Sequence, residues 1–202
     1  MLKALVRRLA AAAALLVAST ANAALIVDTG VSNAGTDNVV FNPCDAPVSG
    51  PALIVEGCLN TNLALVVRFA AEENIEANGG QARVDSTDAD GFSQLRISVP
   101  SSTFAKLVLN INSELDGLVT FTDGVDTSAA FALDDNGQNF FTITGGPFNF
   151  IEFTTFVGET QTDMVEDVRQ VRIGLQAVPE PASLLLAGLA LAALGAIRPR
   201  RR

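Results

Sequence analysis

The sequence predicts an all-β protein: a single β-sandwich, jelly-roll-like domain, flanked by an N-terminal signal peptide and a single C-terminal hydrophobic helix. Three observations support this prediction. Apolar and polar residues alternate in short segments, glycine-rich turn sequences separate those segments, and an uncharged apolar run lies near each terminus. The expected organisation is a signal peptide at 1–23, an acidic ectodomain at 24–177 and a sorting segment at 178–202.

The N-terminal segment has the three parts of a secretory signal peptide in their usual order. Three basic residues lie near the start: Lys3, Arg7 and Arg8. Residues 9–18 form an apolar stretch of the length that export signals use. Ala21 and Ala23 supply the small residues of a cleavage site, so the mature chain is expected to begin at Ala24.

The central region shows the two-residue periodicity of strands that bury one face. Apolar positions alternate with polar ones in four segments: 94–99, 107–112, 119–122 and 170–175. Runs rich in β-branched residues or Phe add further strands at 63–69, 131–133, 140–144 and 150–156, with one short strand at 39–41. About eight to ten strands at this spacing favour a sandwich or jelly roll. Most of the 12 Phe fall on inward positions and are expected in the core.

Turn sequences separate these strands. Glycine follows Asn or Asp at several places, a pairing that is typical of hairpin turns because both positions tolerate positive φ. The predicted turns are Asn78-Gly79-Gly80, Asp90-Gly91, Asp116-Gly117, Asp123-Gly124, Asn136-Gly137 and Gly145-Gly146-Pro147.

Cys44 and Cys58 are the only cysteines, and both lie in the region that is expected to be exported. An even pair in an oxidising compartment is typical of a disulfide, with two free thiols as the alternative. Closing so short a loop would stabilise the fold by roughly 3 kcal/mol. The chain contains no histidine, so a zinc site is not expected.

The predicted mature region is more acidic than the whole chain. Seven of the 13 basic residues lie in the two terminal segments, against one of the 22 acidic residues, which leaves residues 24–177 with a formal charge of −15. Such a surface repels phosphate backbones, so nucleic-acid binding is not expected. It also repels anionic polysaccharides unless divalent cations bridge the two. Solubility alone is the other interpretation of the acidity.

The composition argues against an enzyme. Without histidine, the usual Ser-His-Asp and Cys-His arrangements are excluded. The chain also lacks a Gly-x-Ser-x-Gly elbow and a lysine-bearing phosphate loop. A glycosidase needs only two carboxylates, but nothing distinguishes one pair among so many acids. No catalytic residue is predicted.

One acidic stretch suits a hard cation such as calcium, and no other cofactor is expected. Asp85, Asp88 and Asp90, followed by Gly91, place carboxylates close together in the sequence. Set against an EF-hand loop, the stretch has Ile97 where a bidentate Glu is required, so it is not an EF-hand. Two interpretations stay open: structural calcium at a sheet edge, or a solvated acidic loop. Asp134-Asp135-Asn136-Gly137 is a second candidate of the same kind.

The C-terminal segment differs in character from the rest of the chain. A stiff Pro179-Glu180-Pro181 turn precedes an apolar run at 182–197, and four arginines end the chain. The 16 residues of this run would span roughly 24 Å as a helix, slightly short of a comfortable bilayer crossing. The run has no polar face, so a membrane-embedded helix is predicted rather than a core helix. The arginines favour a cytoplasmic C-terminus.

This segment resembles the PEP-CTERM sorting signal of Gram-negative bacteria. The resemblance rests on the apolar run and on six matching residues: Pro179, Glu180, Pro181, Arg200, Arg201 and Arg202. It implies recognition by an exosortase, a membrane-bound processing enzyme that cuts near the Pro-Glu-Pro. Release or re-attachment at the cell surface would follow, often alongside exopolysaccharide production. A glycolipid-anchor signal works similarly, since its apolar tail is read and removed.

Together these observations predict a non-enzymatic surface or extracellular-matrix protein. Its precursor would be anchored in the inner membrane through the C-terminal helix, and the processed form would be at the cell surface or extracellular. A calcium-assisted module for polysaccharide binding or adhesion is the alternative. A third hypothesis, ice binding, rests on another label given to this type of tail and on Thr-rich strands around 120–122 and 142–144. The threonine spacing does not recur as a flat ice-binding array would require.

Overall fold

The structure is a computed structural model, and it describes residues 24–45, 47–79, 82–88, 90–135 and 137–176. Within these ranges the chain is all-β and contains no helix, which confirms the predicted fold class. The strands are β1 Ile26–Thr29, β2 Asp37–Val40, β3 Ala52–Leu59, β4 Asn62–Asn78, β5 Arg83–Ser86, β6 Gln94–Ser98, β7 Phe104–Ser113, β8 Gly117–Thr122, β9 Phe131–Leu133, β10 Asn139–Phe148, β11 Phe150–Val157, β12 Thr160–Gln161 and β13 Val165–Leu175.

These strands pair in antiparallel fashion along one continuous path. The order across the sheet is β1-β10-β7-β13-β2-β3-β4-β6-β11-β8-β9. Off this path, β12 pairs with β11, and β5 pairs with both β4 and β13. The N-terminal strand β1 is therefore an edge strand, whereas the C-terminal strand β13 is central.

The two halves of the sheet pack against each other. The rings of Phe121 in β8 and Phe141 in β10 have centroids 5.0 Å apart, although these strands stand near opposite ends of the path. Phe131 in β9 also contacts Phe141, at 5.9 Å. The strands at both ends of the path thus contribute to one core, as in a sandwich-like arrangement. The jelly-roll topology stays a prediction.

The core is rich in phenylalanine, as the inward positions predicted. Seven rings are fully buried: Phe69, Phe92, Phe104, Phe121, Phe141, Phe148 and Phe153. Burying each such side chain contributes about 1.5–3 kcal/mol relative to leaving it in water. Ring pairs such as Phe104 and Phe148, 5.7 Å apart at 61°, have the edge-to-face geometry that aromatic quadrupoles favour.

A bulge in β13 changes which side chains face the core. The register with β7 shifts between Arg169 and Arg172, and Gln170 has a left-handed φ of 56°. Val168 and Val171 are both buried although three positions separate them. An unbroken strand would place these two valines on opposite faces, so the bulge is what allows both to pack inside.

The segment 145–147 differs from the prediction of a turn. It lies inside β10, where the register with β7 shifts between Thr144 and Phe148. Gly145 has a φ of +112°, and a Cβ at this position would overlap the carbonyl oxygen of Ala24. The glycine signal therefore marks a bulge that leaves room for Ala24, rather than a reversal of chain direction.

Candidate functional site

The structure separates the residues of the predicted calcium stretch. Asp85 lies in β5, where its carboxylate pairs with Arg83 at 2.7 Å and accepts a hydrogen bond from the side-chain amide of Asn78. Asp88 and Asp90 are exposed beyond the end of that strand. The Asp85 carboxylate is thus already engaged with a cation of the protein. Calcium binding by these three aspartates stays a prediction.

A different group of carboxylates lies close together. Glu72, Glu73 and Asp163 have carboxylate oxygens within 4.8 Å of one another. Asp88 lies near enough to Glu73 for its charge to raise the pKa of that carboxyl group. These four residues are called the acidic corner below. It includes one of the three predicted aspartates and three acids that the sequence patterns do not single out.

The sheet positions the acidic corner. Glu72 and Glu73 lie in β4 between its pairing with β6 and its pairing with β5. The amide of Phe92 donates to the carbonyl oxygen of Val165 at 3.1 Å. This bridge holds the start of β13, and with it Asp163, beside the segment that follows β5. The corner therefore depends on contacts between segments that are far apart in the chain.

Glu72 is held in place by donors from one neighbouring segment. Its Oε1 accepts hydrogen bonds from the Ser93 amide at 2.6 Å, the Ser93 hydroxyl at 2.7 Å and the Gln94 amide at 2.9 Å. Three bonds to one oxygen fix the direction of the carboxylate. The charge of Glu72 consequently stays beside Glu73.

Glu73 is the residue most affected by this environment. Burial, followed by the charges of Asp88, Asp163 and Glu72, raises its pKa from the usual 4.5 to about 7. Its Oε1 is buried and has no hydrogen-bond partner. Both effects disfavour the ionised form. The pKa of Glu73 therefore lies close to neutral pH, where an ordinary glutamate is fully ionised.

The acidic corner has two chemical possibilities. It can take up a proton near neutral pH, or it can offer several carboxylate oxygens to a hard cation, which calcium and magnesium prefer as ligands. Either event relieves the mutual repulsion of the acids. In the sequence, Glu72 and Glu73 form an acidic pair that ends the mostly apolar run at 63–71, but the pair gives no sign that Asp163 lies beside it.

The predicted disulfide is present. Cys44 and Cys58 are bonded, with their Cα atoms 5.6 Å apart. The bond joins the segment after β2 to β3, the strand with which β2 pairs. The even cysteine pair was thus a sufficient sequence signal for this connection.

Several predicted site residues lie outside the described residues. These are the cleavage-site residues Ala21 and Ala23 and the sorting-motif residues Pro179, Glu180, Pro181, Arg200, Arg201 and Arg202. The predicted signal peptide and C-terminal helix also fall there. In the part of the chain that the structure describes, no helix has the length and apolar character needed to span a membrane.

Comparison with known proteins identifies the C-terminal segment. Residues 177–202 match the family model for the PEP-CTERM protein-sorting motif, which confirms the resemblance seen in the sequence. No curated protein and no solved structure matches the chain. The matched segment begins directly after Gln176, the last described residue.

Proposed function

We propose that this chain, which carries a PEP-CTERM sorting motif at residues 177–202, is a non-enzymatic surface or extracellular-matrix protein. An exosortase-type enzyme in the inner membrane of a Gram-negative cell processes the anchored precursor. The acidic β-domain is then displayed at the cell surface or released. The observation that carries the proposal is the motif itself, placed directly after a folded domain whose last strand ends at Leu175.

Two further observations support export. The disulfide between Cys44 and Cys58 suits an oxidising compartment. The N-terminal segment has the charge, apolar stretch and small residues of a secretory leader. The domain thus lies between a predicted secretory leader and a sorting motif.

The non-enzymatic role is supported by composition. General acid–base and nucleophilic catalysis most often use histidine, and the chain has none. The acidic corner does contain a carboxyl group with a raised pKa, Glu73. Perturbed groups of this kind also occur in structural clusters. The sequence contains neither a motif for an activated nucleophile nor a cofactor-binding motif that would accompany Glu73.

The sorting claim is tested by changing the motif without changing the apolar run. In the double variant Pro179→Ala/Pro181→Ala, the apolar run and the arginines are kept, so membrane insertion is retained while recognition is lost. We expect uncleaved precursor in the membrane fraction and loss of surface display, detected by intact mass and by surface labelling. The matched control is Pro147→Ala in the domain, which should be processed normally. Unchanged processing of the double variant would refute the proposal.

The alternative, cation-assisted binding of an anionic polysaccharide, has one observation in its favour. Glu73 places a buried, unpartnered oxygen in a corner where three acids have carboxylate oxygens within 4.8 Å of one another. We expect retention on an immobilised anionic polysaccharide in calcium, loss of retention in chelator, and weaker retention for Glu73→Gln than for the exposed control Glu159→Gln. Absence of retention in all conditions removes this alternative.

The position of Thr142 in the structure argues against the ice-binding hypothesis. Thr142 is only 4% exposed, and its hydroxyl donates to the carbonyl oxygen of Gly30 at 2.9 Å. It also accepts from the amide of Ser32 at 3.1 Å. A threonine used in this way cannot belong to a flat exposed array, so a thermal-hysteresis assay is expected to be negative.

A further inference from the structure

The first and last strands of the domain reach the same end of the sheet. Ile26 pairs with Thr144, Thr144 pairs with Lys106, and Lys106 pairs with Gly174. These four residues form one line across β1, β10, β7 and β13. Three strand spacings of about 4.8 Å separate Ile26 from Gly174, or roughly 14 Å. β1 begins at this line and β13 ends at it.

The first and last described residues, Ala24 and Gln176, are both fixed to this end of the domain. Ala24 packs so closely on Gly145 that a Cβ on residue 145 would overlap the carbonyl oxygen of Ala24. The amide of Gln176 donates a hydrogen bond to the carbonyl oxygen of Thr103 at 3.3 Å. Thr103 and Gly145 line the same depression of about 290 Å³. This end, defined by Ala24, Thr103, Gly145 and Gln176, is called the junction end.

The acidic corner lies at the opposite end. Val165, the first residue of β13, pairs with Ser113, the last residue of β7. The ten steps along β13 from Val165 to Leu175 cover roughly 33 Å at about 3.3 Å per residue. Asp163 precedes this strand and belongs to the corner. The turn at Gly158–Glu159, which follows β11, is at this end too, because β11 starts beside the junction end and runs away from it.

The chain between the domain and the predicted membrane segment is short. Five residues, 177–181, lie between Gln176 and Ala182, where the apolar run starts, so six Cα-to-Cα steps join the two. Such a stretch covers at most about 21 Å when fully extended. That is less than the roughly 33 Å length of β13, so the tether cannot place the opposite end against the membrane with the strands upright. The predicted signal peptide limits the distance between domain and membrane in the same way, because its apolar stretch ends at Ala18, six positions before Ala24.

We propose that the junction end is the membrane-facing surface of the anchored precursor. The acidic corner then points away from the membrane, and the processing enzyme meets the domain at the junction end. This inference rests on the proposed function, because it requires residues 182–197 to enter a membrane. Asp123 and Asp126 line the depression at this end and repel anionic headgroups. Electrostatic attraction therefore does not hold this end at the membrane. The short tether sets the orientation, and the orientation should not depend on salt concentration.

Two labelling positions on turns at opposite ends of the domain test the orientation. Val125, which is 85% exposed, lies beside the depression, and Glu159 lies in the exposed turn at the opposite end. The full chain, expressed without an exosortase, would carry either Val125→Cys or Glu159→Cys, labelled with a fluorophore while the native disulfide stays oxidised. Each variant is reconstituted into phosphatidylcholine vesicles whose headgroups carry a nitroxide quencher. We expect several-fold stronger quenching at position 125, at low and high salt alike.

The control lengthens the tether. A flexible Gly-Ser insertion after Gln176, long enough to exceed the length of β13, should remove most of the difference between the two positions. Equal quenching in the unmodified chain, or stronger quenching at position 159, overturns the orientation while leaving the sorting proposal intact. Failure of the chain to float with the vesicles contradicts the membrane-anchored precursor, and the orientation with it.

Discussion

Asp85 and Asp167 lie directly opposite each other on the paired strands β5 and β13. Like charges in this position repel, and Asp167 is fully buried. Arg83 compensates, because its guanidinium lies 2.7 Å from Asp85 and 3.4 Å from Asp167. Arg169 also donates to Asp167, and this hydrogen bond raises the pKa of Arg169 above its usual value. The sheet therefore holds a four-residue ionic network at this point.

Replacing Arg83 with Met should destabilise the fold by about 2–3 kcal/mol, because it leaves two facing carboxylates with one cation fewer. Urea unfolding of the purified domain measures this loss. Arg68→Met is the matched control: Arg68 is similarly exposed and pairs with Glu56 alone, so its loss should stay below about 1 kcal/mol. Adding Asp85→Asn to Arg83→Met should recover part of the stability. Equal losses for the two arginines would contradict the network.

The stability of the domain should depend on pH through Glu73. Its folded pKa of about 7 lies above the usual 4.5, so the folded state binds the extra proton between these values. This contribution is complete below about pH 4.5 and is lost as the pH rises through about 7. Glu73→Gln imitates the protonated form. The variant should match the wild type near pH 4 and melt at a higher temperature near pH 8.

The exposed variant Glu159→Gln provides the control for this pH dependence, because it removes one negative charge outside the acidic corner. Its melting temperature should follow that of the wild type at both pH values. A difference between Glu73→Gln and wild type that is the same at both pH values would argue against a raised Glu73 pKa.

Reducing the disulfide should cost about 3 kcal/mol of unfolding free energy, the loop-entropy value for Cys44 and Cys58, which are 14 positions apart. Guanidinium unfolding with and without reductant measures the loss. The double variant Cys44→Ala/Cys58→Ala should lose a similar amount, and it should be insensitive to reductant. A reduced wild type as stable as the oxidised protein would exclude a stabilising role for the bond.

Gly145→Ala should destabilise the domain by roughly 1–3 kcal/mol more than Gly30→Ala, because its methyl group meets the backbone of Ala24. The two glycines have nearly equal φ values, +112° and +109°, but a Cβ at Gly30 has no atom within 4 Å. The comparison thus separates the steric contact from the backbone strain. Thermal unfolding measures both variants, and equal losses would show that Ala24 does not press on this site.

Strands that bury one face could be predicted from the sequence. The alternation around Leu95 and Val119 corresponds to β6 and β8, which bury every second residue, since a period of two residues follows directly from strand geometry. The alternation around Leu107 also located β7, although the structure buries residues 107–111 of that strand in succession. In contrast, β3 was not predicted. It exposes the adjacent residues Leu53 and Ile54 and buries the consecutive residues 57–59, so it has no alternation to detect.

The acidic corner depends on tertiary contacts. In a strand, the neighbours Glu72 and Glu73 look like ordinary surface positions, and Asp163 is distant in the sequence. The pairing of β4 with two different strands and the bridge between Phe92 and Val165 bring them together. Local sequence patterns carry no information about such contacts. The calcium stretch was chosen for its local density of acids, and its first member, Asp85, pairs with Arg83 instead.

The close contact between Ala24 and Gly145 has a consequence for the order of the maturation steps. A leader peptidase needs several extended, unpaired residues around the bond it cuts, and the start of the finished domain does not offer them. β1 pairs only with β10 at the edge of the sheet, so it can be the last strand to join. In the proposed maturation, removal of the leader would therefore come before closure of this edge, whereas a C-terminal cut would act on a domain that is already complete.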